Sequence, residues 1–280
     1  MDNIGKLYLV ATPIGNLEDI TYRAVKVLKE VDVIAAEDTR HSLKLLNHLD
    51  ISKPLISYHR HNEENKTDLL IKKMLEGESI AVITDAGTPA ISDPGEEVVQ
   101  KAIENNIEVI PIPGACALIN ALIASGMNTR EFSFYGFLPL NKKLRKNKFE
   151  EIKKENKTII LYEAPHKINQ TLIDILNELG NVNIVIAREL TKIHEEFIRG
   201  KVDEIIKKHN ELKGEIIIII EGISKVDGEN DIKELLNNMT IKDHYEYYKN
   251  KNYEKKDIIK MIAKDRGVSK NEIYMKLIDF

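Results

Sequence analysis

The residues of this chain that bind ligands or move protons gather in short segments, each directly after an apolar run. Thr12-Pro13-Ile14-Gly15-Asn16-Leu17 follows residues 7–11, LYLVA. A glycine-bearing turn between strand and helix lies at the carboxyl end of a sheet, where α/β proteins bind ligands. It is neither a dinucleotide fingerprint nor a P-loop, because G-x-G-x-x-G and G-K-[ST] are both absent. A turn kept for its geometry alone remains the competing reading. Residues 84–95, TDAGTPAISDPG, hold two Gly, two Pro and two Asp in twelve positions. Gly lets a ligand approach the backbone and Pro stiffens the loop. Asp85 and Asp93 can accept hydrogen bonds from ribose hydroxyls or an amino group. Asp93-Pro94 also reads as a cap and first residue of the next helix. Pro111-Ile112-Pro113-Gly114-Ala115-Cys116-Ala117 is a third turn, whose small side chains admit a flat ligand. Cys116 has no partner thiol and reads as a packing residue.

Polar clusters follow three further runs: Glu37-Asp38-Thr39-Arg40, Tyr162-Glu163-Ala164-Pro165-His166-Lys167, and Arg188-Glu189-Leu190-Thr191-Lys192. Each alone is compatible with an internal ion-pair set, but three at strand ends converge on one rim. His59, His61 and Asn62 form a fourth group. No metal site is expected, because the spacing supplies too few ligands. Lys142, Lys143, Arg145, Lys146 and Lys148 place five cations in seven residues, either to contact phosphates or as a solvated loop.

These groups need strands and helices to hold them. Strands are predicted at 7–11, 33–36, 79–84, 108–112, 158–162, 182–187 and 215–220. Continuous apolar runs of this kind suit central parallel strands covered on both faces. Ile20, Ala24, Val27, Leu28 and Val31, and again Ile168, Leu172, Ile175, Leu176 and Leu179, carry the spacing of one-sided helices. The alternation predicts an α/β protein with mostly parallel sheets. Boundaries are expected near 118 and 222, giving α/β domains at 1–118 and 119–222. The remaining residues, 223–280, form a helical module that balances 12 Lys/Arg against 11 Asp/Glu.

The 280 residues fit about two domains plus this extension. A net charge of −4 excludes a binder that grips nucleic acid through overall positive charge, though not a local basic patch. The single cysteine excludes an intramolecular disulfide framework and suits a reducing cytosol. No secretory signal is visible at the N-terminus, and the five-Ile run at 216–220 is far short of the ~20 apolar residues of a membrane span. A soluble, cytoplasmic protein is expected.

The motifs TPIGNLEDIT, AEDTR, DAGTPAISDPG, IPGACA, GFLP, YEAPHK and RELTK, in this order, resemble the ribosomal RNA small subunit methyltransferase I family of the tetrapyrrole-methylase-like superfamily. The likeness spans residues 5 to about 222, and Gly267 to Tyr274 resembles the family's helical extension. It implies two α/β domains of tetrapyrrole-methylase type with S-adenosylmethionine in the cleft between them, in a homodimer. The implied reaction is 2′-O-methylation of a cytidine in the decoding centre of 16S rRNA, within the 30S subunit. Carried over by position, cofactor contacts fall on Pro13, Asp85, Ala86, Gly87, Thr88, Ile91, Cys116, Ala117, Tyr162, Glu163 and Leu190. Ala115-Cys116 stands where the family usually has Pro-Ser, and Lys167 where it has Arg.

A ribose hydroxyl is a poor nucleophile, so a carboxylate or imidazole is expected to take its proton. Asp38, His59 and Glu189, on motif-bearing rim segments, are the candidates. Arg40 and Lys192 are expected to hold RNA phosphate, together with Lys142, Lys143 and Arg145. Two rival readings are a tetrapyrrole methyltransferase of the same superfamily and a non-catalytic ribosome- or RNA-binding protein. Methyl incorporation discriminates the second, and the AEDTR and RELTK motifs weigh against the first.

Overall fold

Short β-branched runs become strands because they can be buried on both faces, and each one-sided helix covers one of those faces. The computed structural model describes residues 4–209, 211–222, 236, 239–249 and 253–278. Strands Leu7–Val10 (β1), Val33–Ala36 (β2), Leu55–Ser57 (β3), Ile80–Ile83 (β4) and Val109–Ile112 (β5) form a parallel sheet in the order β3-β2-β4-β1-β5. Alternate residues of each strand serve opposite cores. Leu7, Val33, Ala35, Ile80 and Val82 meet Leu70 and Met74 of helix Glu63–Leu75 (α3) and Val98 and Ala102 of helix Glu96–Glu104 (α4). On the other face Val10, Ile34, Ala36, Ala81 and Ile83 meet Ala24 and Leu28 of helix Tyr22–Glu30 (α1) and Leu46 of helix Thr39–His48 (α2).

That order places a switch point between β1 and β4. The crossover after β1 runs past β4 to β2, whereas the crossover after β4 runs past β1 to β5. With right-handed connections the two helices lie on opposite faces, and the loops after β1 and β4 part at their carboxyl ends. A ligand crevice therefore follows from topology.

After helix Ala117–Ser125 (α5), strands Phe132–Phe137 (β6), Thr158–Glu163 (β7), Asn183–Arg188 (β8), Glu196–Lys201 (β9) and Ile216–Ile220 (β10) form a second sheet in the order β6-β7-β10-β8-β9. Only β6 and β7 run parallel; the pairs β7/β10, β10/β8 and β8/β9 are antiparallel. The first sheet thus meets the expectation of parallel strands, and the second departs from it. All five isoleucines of β10 are buried. Their run reports cover on both faces, which a central antiparallel strand under two layers of helix shares with a parallel one. One layer is helices Lys142–Ile152 (α6), Ile168–Leu179 (α7) and Val202–Lys208 (α8) over Ile159, Ile184 and Ile218. The other is α5, whose Leu118, Ala121 and Leu122 meet Ile160, Val185 and Ile217.

Strands β3, β6 and β9 were not predicted. All three lie at sheet edges; β3 is only three residues long, and Ser, Gly or charged residues interrupt the apolar runs of β6 and β9.

The chain divides into one compact unit containing both sheets, ending at residue 221, and a second containing the last helices. The position 118 expected as a domain boundary lies one residue inside α5. In the second unit Ile241–Lys249 (α9), Lys255–Arg266 (α10) and Lys270–Ile278 (α11) surround Leu236, Tyr248, Ile258, Ile262 and Ile273. Residues 223–235, the start of the helical module expected from the sequence, lie outside the described residues.

Candidate active site

The second sheet points the same kind of edge at the site as the first. Because β10 runs opposite to β7 and β8, its first residue, Ile216, stands level with the last residues of both, Glu163 and Arg188. The ends of β7 and β8 and the start of β10 thus share one rim. Ile14, from the loop after β1, packs into the core of this second sheet, beside Leu118, Leu190 and Ile217.

The loop after β4 is pinned on three sides. Gly87 and Thr12 exchange backbone hydrogen bonds at 2.9 and 3.1 Å, stapling the β1 and β4 loops together. Gly87 has φ +89°, and a Cβ there would meet Ile14 Cγ2 at 3.1 Å, so the turn requires glycine. Thr88 Oγ1 donates to Ala115 O at 2.9 Å, joining the loop to the Pro-Gly turn after β5. At its far end Gly95 N donates to Glu63 Oε1 at 2.9 Å, and the Arg60 guanidinium donates to Ser92 O. Helix α4 begins at Glu96 with Gly95 in the capping position and no side-chain cap. Asp93 therefore does not cap this helix, contrary to that reading of Asp93-Pro94; the Glu63 carboxylate satisfies the free N–H instead.

Between these loops lies a cavity of about 350 Å³, within the usual range for small-ligand sites. The first sheet contributes Ile14, Ala86, Gly87, Thr88, and Ile91 to Asp93. The turn before α5 adds Cys116 and Ala117. The second sheet closes it with Phe137, Tyr162 to Pro165, Ala187, Leu190, and Glu215 to Ile217. Nine of the eleven residues expected at the cofactor line this space; Pro13 and Asp85 do not. Asp85 instead accepts a hydrogen bond from Asp38 N at 3.2 Å, and burial, then the nearby Glu37, raises its pKa. Phe134 and Phe137 pack edge-on against Tyr162, and burial pushes that phenol up to about 12, so it remains a hydrogen-bond donor at neutral pH. Glu163 is buried, but its carboxylate faces its own domain core, accepting from Ala164 N at 2.8 Å and Thr171 Oγ1 at 2.5 Å.

None of the three proton-acceptor candidates lines the cavity. Asp38 caps α2, accepting from Arg40 N at 2.8 Å, and this bond together with the Arg40 side chain holds it below the ordinary carboxylate range. Glu189, at φ +51°, accepts from Glu215 N and from Lys192 Nζ, both at 3.0 Å, which lower its pKa in that order. His59 Nε2 accepts from Asn62 Nδ2 at 3.2 Å, and Nδ1 is buried without a partner among the described residues.

A group whose folded pKa is lowered stabilises the fold above its unfolded pKa. That contribution is lost as pH falls through the folded value. Glu189 therefore contributes fully above its ordinary 4.5, and Glu189→Gln is expected to flatten part of the acid limb of stability. Urea midpoints measured between about pH 3 and 7 check this.

The expected phosphate contacts separate into two groups. Arg40, Lys142 and Lys143 are exposed. Arg145 is not: its Nε lies 2.6 Å from Asp174 Oδ2 and its Nη2 donates to Thr171 Oγ1 at 2.8 Å. Lys192 Nζ sits between Glu189 and Glu215 at 3.0 and 3.1 Å, and these two carboxylates raise its pKa against the opposing effect of burial. Both cations are paired locally, whereas among the described residues the other three have no such partner in the sheet core. Their sequence neighbours gave no sign of this, because the partners lie elsewhere in the fold. Phe137, Glu215 and Ile217 were missed as cavity residues, whereas Asp93, read from the sequence as a ligand acceptor, lines it. Phe137 stood in the GFLP motif, but nothing in the five-Ile run showed which end opens on the rim. Among the described residues no group of three His, Cys, Asp or Glu side chains is arranged to hold a metal, and no helix is long and apolar enough to cross a membrane.

Two sheets whose strand-end loops close on one cavity define a protein of the tetrapyrrole (corrin/porphyrin) methylase class, whose family model matches residues 6–206. The sequence is 51% identical over 276 residues to ribosomal RNA small subunit methyltransferase I of Halalkalibacterium halodurans, covering 98% of this chain and 94% of that one. The corresponding Bacillus subtilis protein is 47% identical, covering 97% and 94%. Uroporphyrin-III C-methyltransferase from Thermus thermophilus, solved with S-adenosyl homocysteine, shares the fold at 17% identity and a TM-score of 0.56, covering 78% of this chain and 97% of that one. The chain belongs to the ribosomal RNA small subunit methyltransferase I family.

Proposed function

We propose that this chain transfers the methyl group of S-adenosylmethionine to the 2′-hydroxyl of a cytidine in the decoding centre of 16S rRNA. The observation that carries this reading is the cavity on the common rim of the two sheets, in a chain about half identical to relatives named for rRNA methylation. The walls fit an adenosyl sulfonium. Ala86, Gly87, Ala117 and Ala187 leave room for a flat ring, Ile14, Ile91, Leu190 and Ile217 offer apolar surface, and Thr88 and Tyr162 supply hydroxyls. The bound cofactor supplies an electrophilic methyl group. The chain's task is to align the hydroxyl with it and keep water out.

In this reading the residues 1–118 and 119–222 each give one wall of the cleft, and 223–280 is an appended helical module. A second opening of about 490 Å³, lined by Gly15, Asn16 and Thr191 to His194, adjoins Leu190 and offers a seat for the target nucleotide. Arg40, Lys142 and Lys143 remain as phosphate contacts, local cations on a chain of net charge −4. Exposed Ile119 and Ile123 on α5 support a homodimer that covers them. The protein would act in the cytoplasm, on the assembled 30S subunit.

The test supplies labelled S-adenosylmethionine with small subunits from a strain lacking the enzyme. Label on a cytidine 2′-oxygen, identified by mass spectrometry, is the expected result. Label on a base, or none, overturns the assignment.

A further inference from the structure

We propose that Asn16 selects cytosine as the target base by donating its side-chain amide to the acceptor edge of the base, an assignment that rests on the methyl-transfer reading above. The second opening adjoins the cofactor cavity on both walls. From the first sheet, Ile14 lines the cavity and the next residue, Gly15, lines the opening. From the second sheet, Leu190 lines the cavity and Thr191 lines the opening. A group seated in the opening is therefore a single residue from the cavity on each side, about 3.8 Å of chain. A ribose beside the cofactor, with its base in the opening, fits that spacing.

The two walls approach closely. A Cβ on Gly15 would stand 2.6 Å from Lys192 Cγ and 2.9 Å from Thr191 Oγ1, so the approach requires glycine. Thr191 Oγ1 is buried and has no hydrogen-bond partner among the described residues. A buried hydroxyl left unpaired is costly, and an incoming ligand can satisfy it. The wall after β8 is braced. Thr191 N donates to Glu195 Oε2 at 2.6 Å, Lys192 N donates to Glu189 O at 3.0 Å, and Lys192 Nζ is held by Glu189 and Glu215. Ile193 stands out from this wall at 97% exposure, with His194 exposed beside it. They offer an apolar side chain and a ring to the face of a base.

Asn16 Oδ1 accepts from Glu18 N at 3.1 Å and caps the short 3-10 helix Leu17–Asp19. That bond fixes which way the amide is turned. It leaves Nδ2, with two hydrogens and no partner among the described residues, to a ligand. Cytosine presents adjacent acceptors at O2 and N3 beside its N4 amine. Uracil has the same size but carries a hydrogen on N3, which opposes a donor. The Thr191 hydroxyl donates or accepts and so accommodates either base, whereas an amide nitrogen only donates. The discrimination therefore falls to Asn16.

The test uses the full-length protein and small subunits carrying either cytidine or uridine at the target position. The parent should favour cytidine by about 30-fold or more in kcat/KM. Asn16→Asp keeps an oxygen for Glu18 N and replaces the donor with an acceptor. It should lower kcat/KM on cytidine subunits by about 30-fold and bring the two substrates within about threefold of each other. Asn16→Ser, which retains a capping oxygen but no amide, should lose the preference as well. Calorimetric affinity for S-adenosylhomocysteine should stay within about threefold in both variants, which reads folding and cofactor binding without turnover. Equal losses on both substrates would leave Asn16 a helix cap and overturn the proposal. A parent that methylates both alike, or variants that keep the preference, also overturn it. Loss of S-adenosylhomocysteine affinity would move Asn16 to the cofactor and overturn it too. If the parent labels neither substrate, the methyltransferase reading fails first.

Discussion

Cys116→Trp is expected to weaken S-adenosylhomocysteine binding by about 100-fold or more, close to 2.8 kcal/mol, whereas Cys116→Ala should bind within about threefold of the parent. Cys116 lines the cavity immediately before α5, at the turn that Thr88 ties to the DAGTP loop, and across from Tyr162. Its thiol is free and only half-buried. An indole there must enter the space that small wall residues leave open, and the fixed loops on either side cannot retreat without breaking the Thr88 bond. Calorimetry measures both affinities, and circular dichroism confirms that both variants fold. Parent-like binding by the Trp variant would place the cofactor outside this cavity. Loss of turnover in the Ala variant would give the thiol a chemical task that its surroundings do not indicate.

Arg145→Ala and the double variant Lys142→Ala/Lys143→Ala should behave in opposite ways, although all three cations lie within four residues. Arg145 is mostly buried against Asp174 and Thr171, and Thr171 in turn donates to the buried Glu163. Removing the guanidinium leaves the Asp174 charge and the Thr171–Glu163 pair short of a donor. Because the pair is partly reached by solvent, the expected cost is about 2–3 kcal/mol, below the range for fully buried pairs. RNA affinity of the folded variant should be unchanged. The double variant should keep its stability within about 0.5 kcal/mol, as exposed sites do. It should instead bind RNA more weakly, with a shallower dependence of affinity on salt, since fewer counterions are released. Urea unfolding and filter binding over a salt series make the comparison. A destabilised double variant, or an Arg145→Ala protein that folds normally and loses RNA, would reverse these roles.

The contrast within this one run shows where sequence reading reaches its limit. Five cations in seven residues were visible, and so was the choice between phosphate contact and solvated surface. That Arg145 pairs inside the fold was not visible, because Asp174 lies 29 positions away and is brought alongside by α7 packing on α6. Lys192 repeats the case: Glu189 is close in sequence, but Glu215 arrives only when β10 pairs with β8. In both places long-range pairing neutralises a charge that composition counts as free.

The strands follow the same logic. β2 was predicted at its observed limits, and the other central strands to within a residue or so at each end, because burial on both faces leaves an unbroken apolar run. Their direction in the second sheet was not readable, because covering helices bury an antiparallel strand as fully as a parallel one. The strands β3, β6 and β9 were invisible because β3 is three residues long and Ser, Gly or charged residues break the apolar runs of β6 and β9.

Much of the site's position was determined by the sequence alone. The loops DAGTPAI, PGACA, YEAPH and RELTK follow strands, their small and conformationally restricted residues are set by local sterics, and nine of the residues marked in them line one cavity. Local chemistry is enough for that, since turns and strand ends are specified within a few residues. What each acid does was decided by tertiary structure. Asp38 becomes a helix cap, Glu163 a buried acceptor and Glu189 the partner of a lysine and a backbone N–H, while Asp93 stands at the cavity wall under the influence of Glu37, Thr84 and Arg60. A carboxylate's basicity depends on its desolvation and on charges within a few ångströms, and both exist only after distant segments have packed.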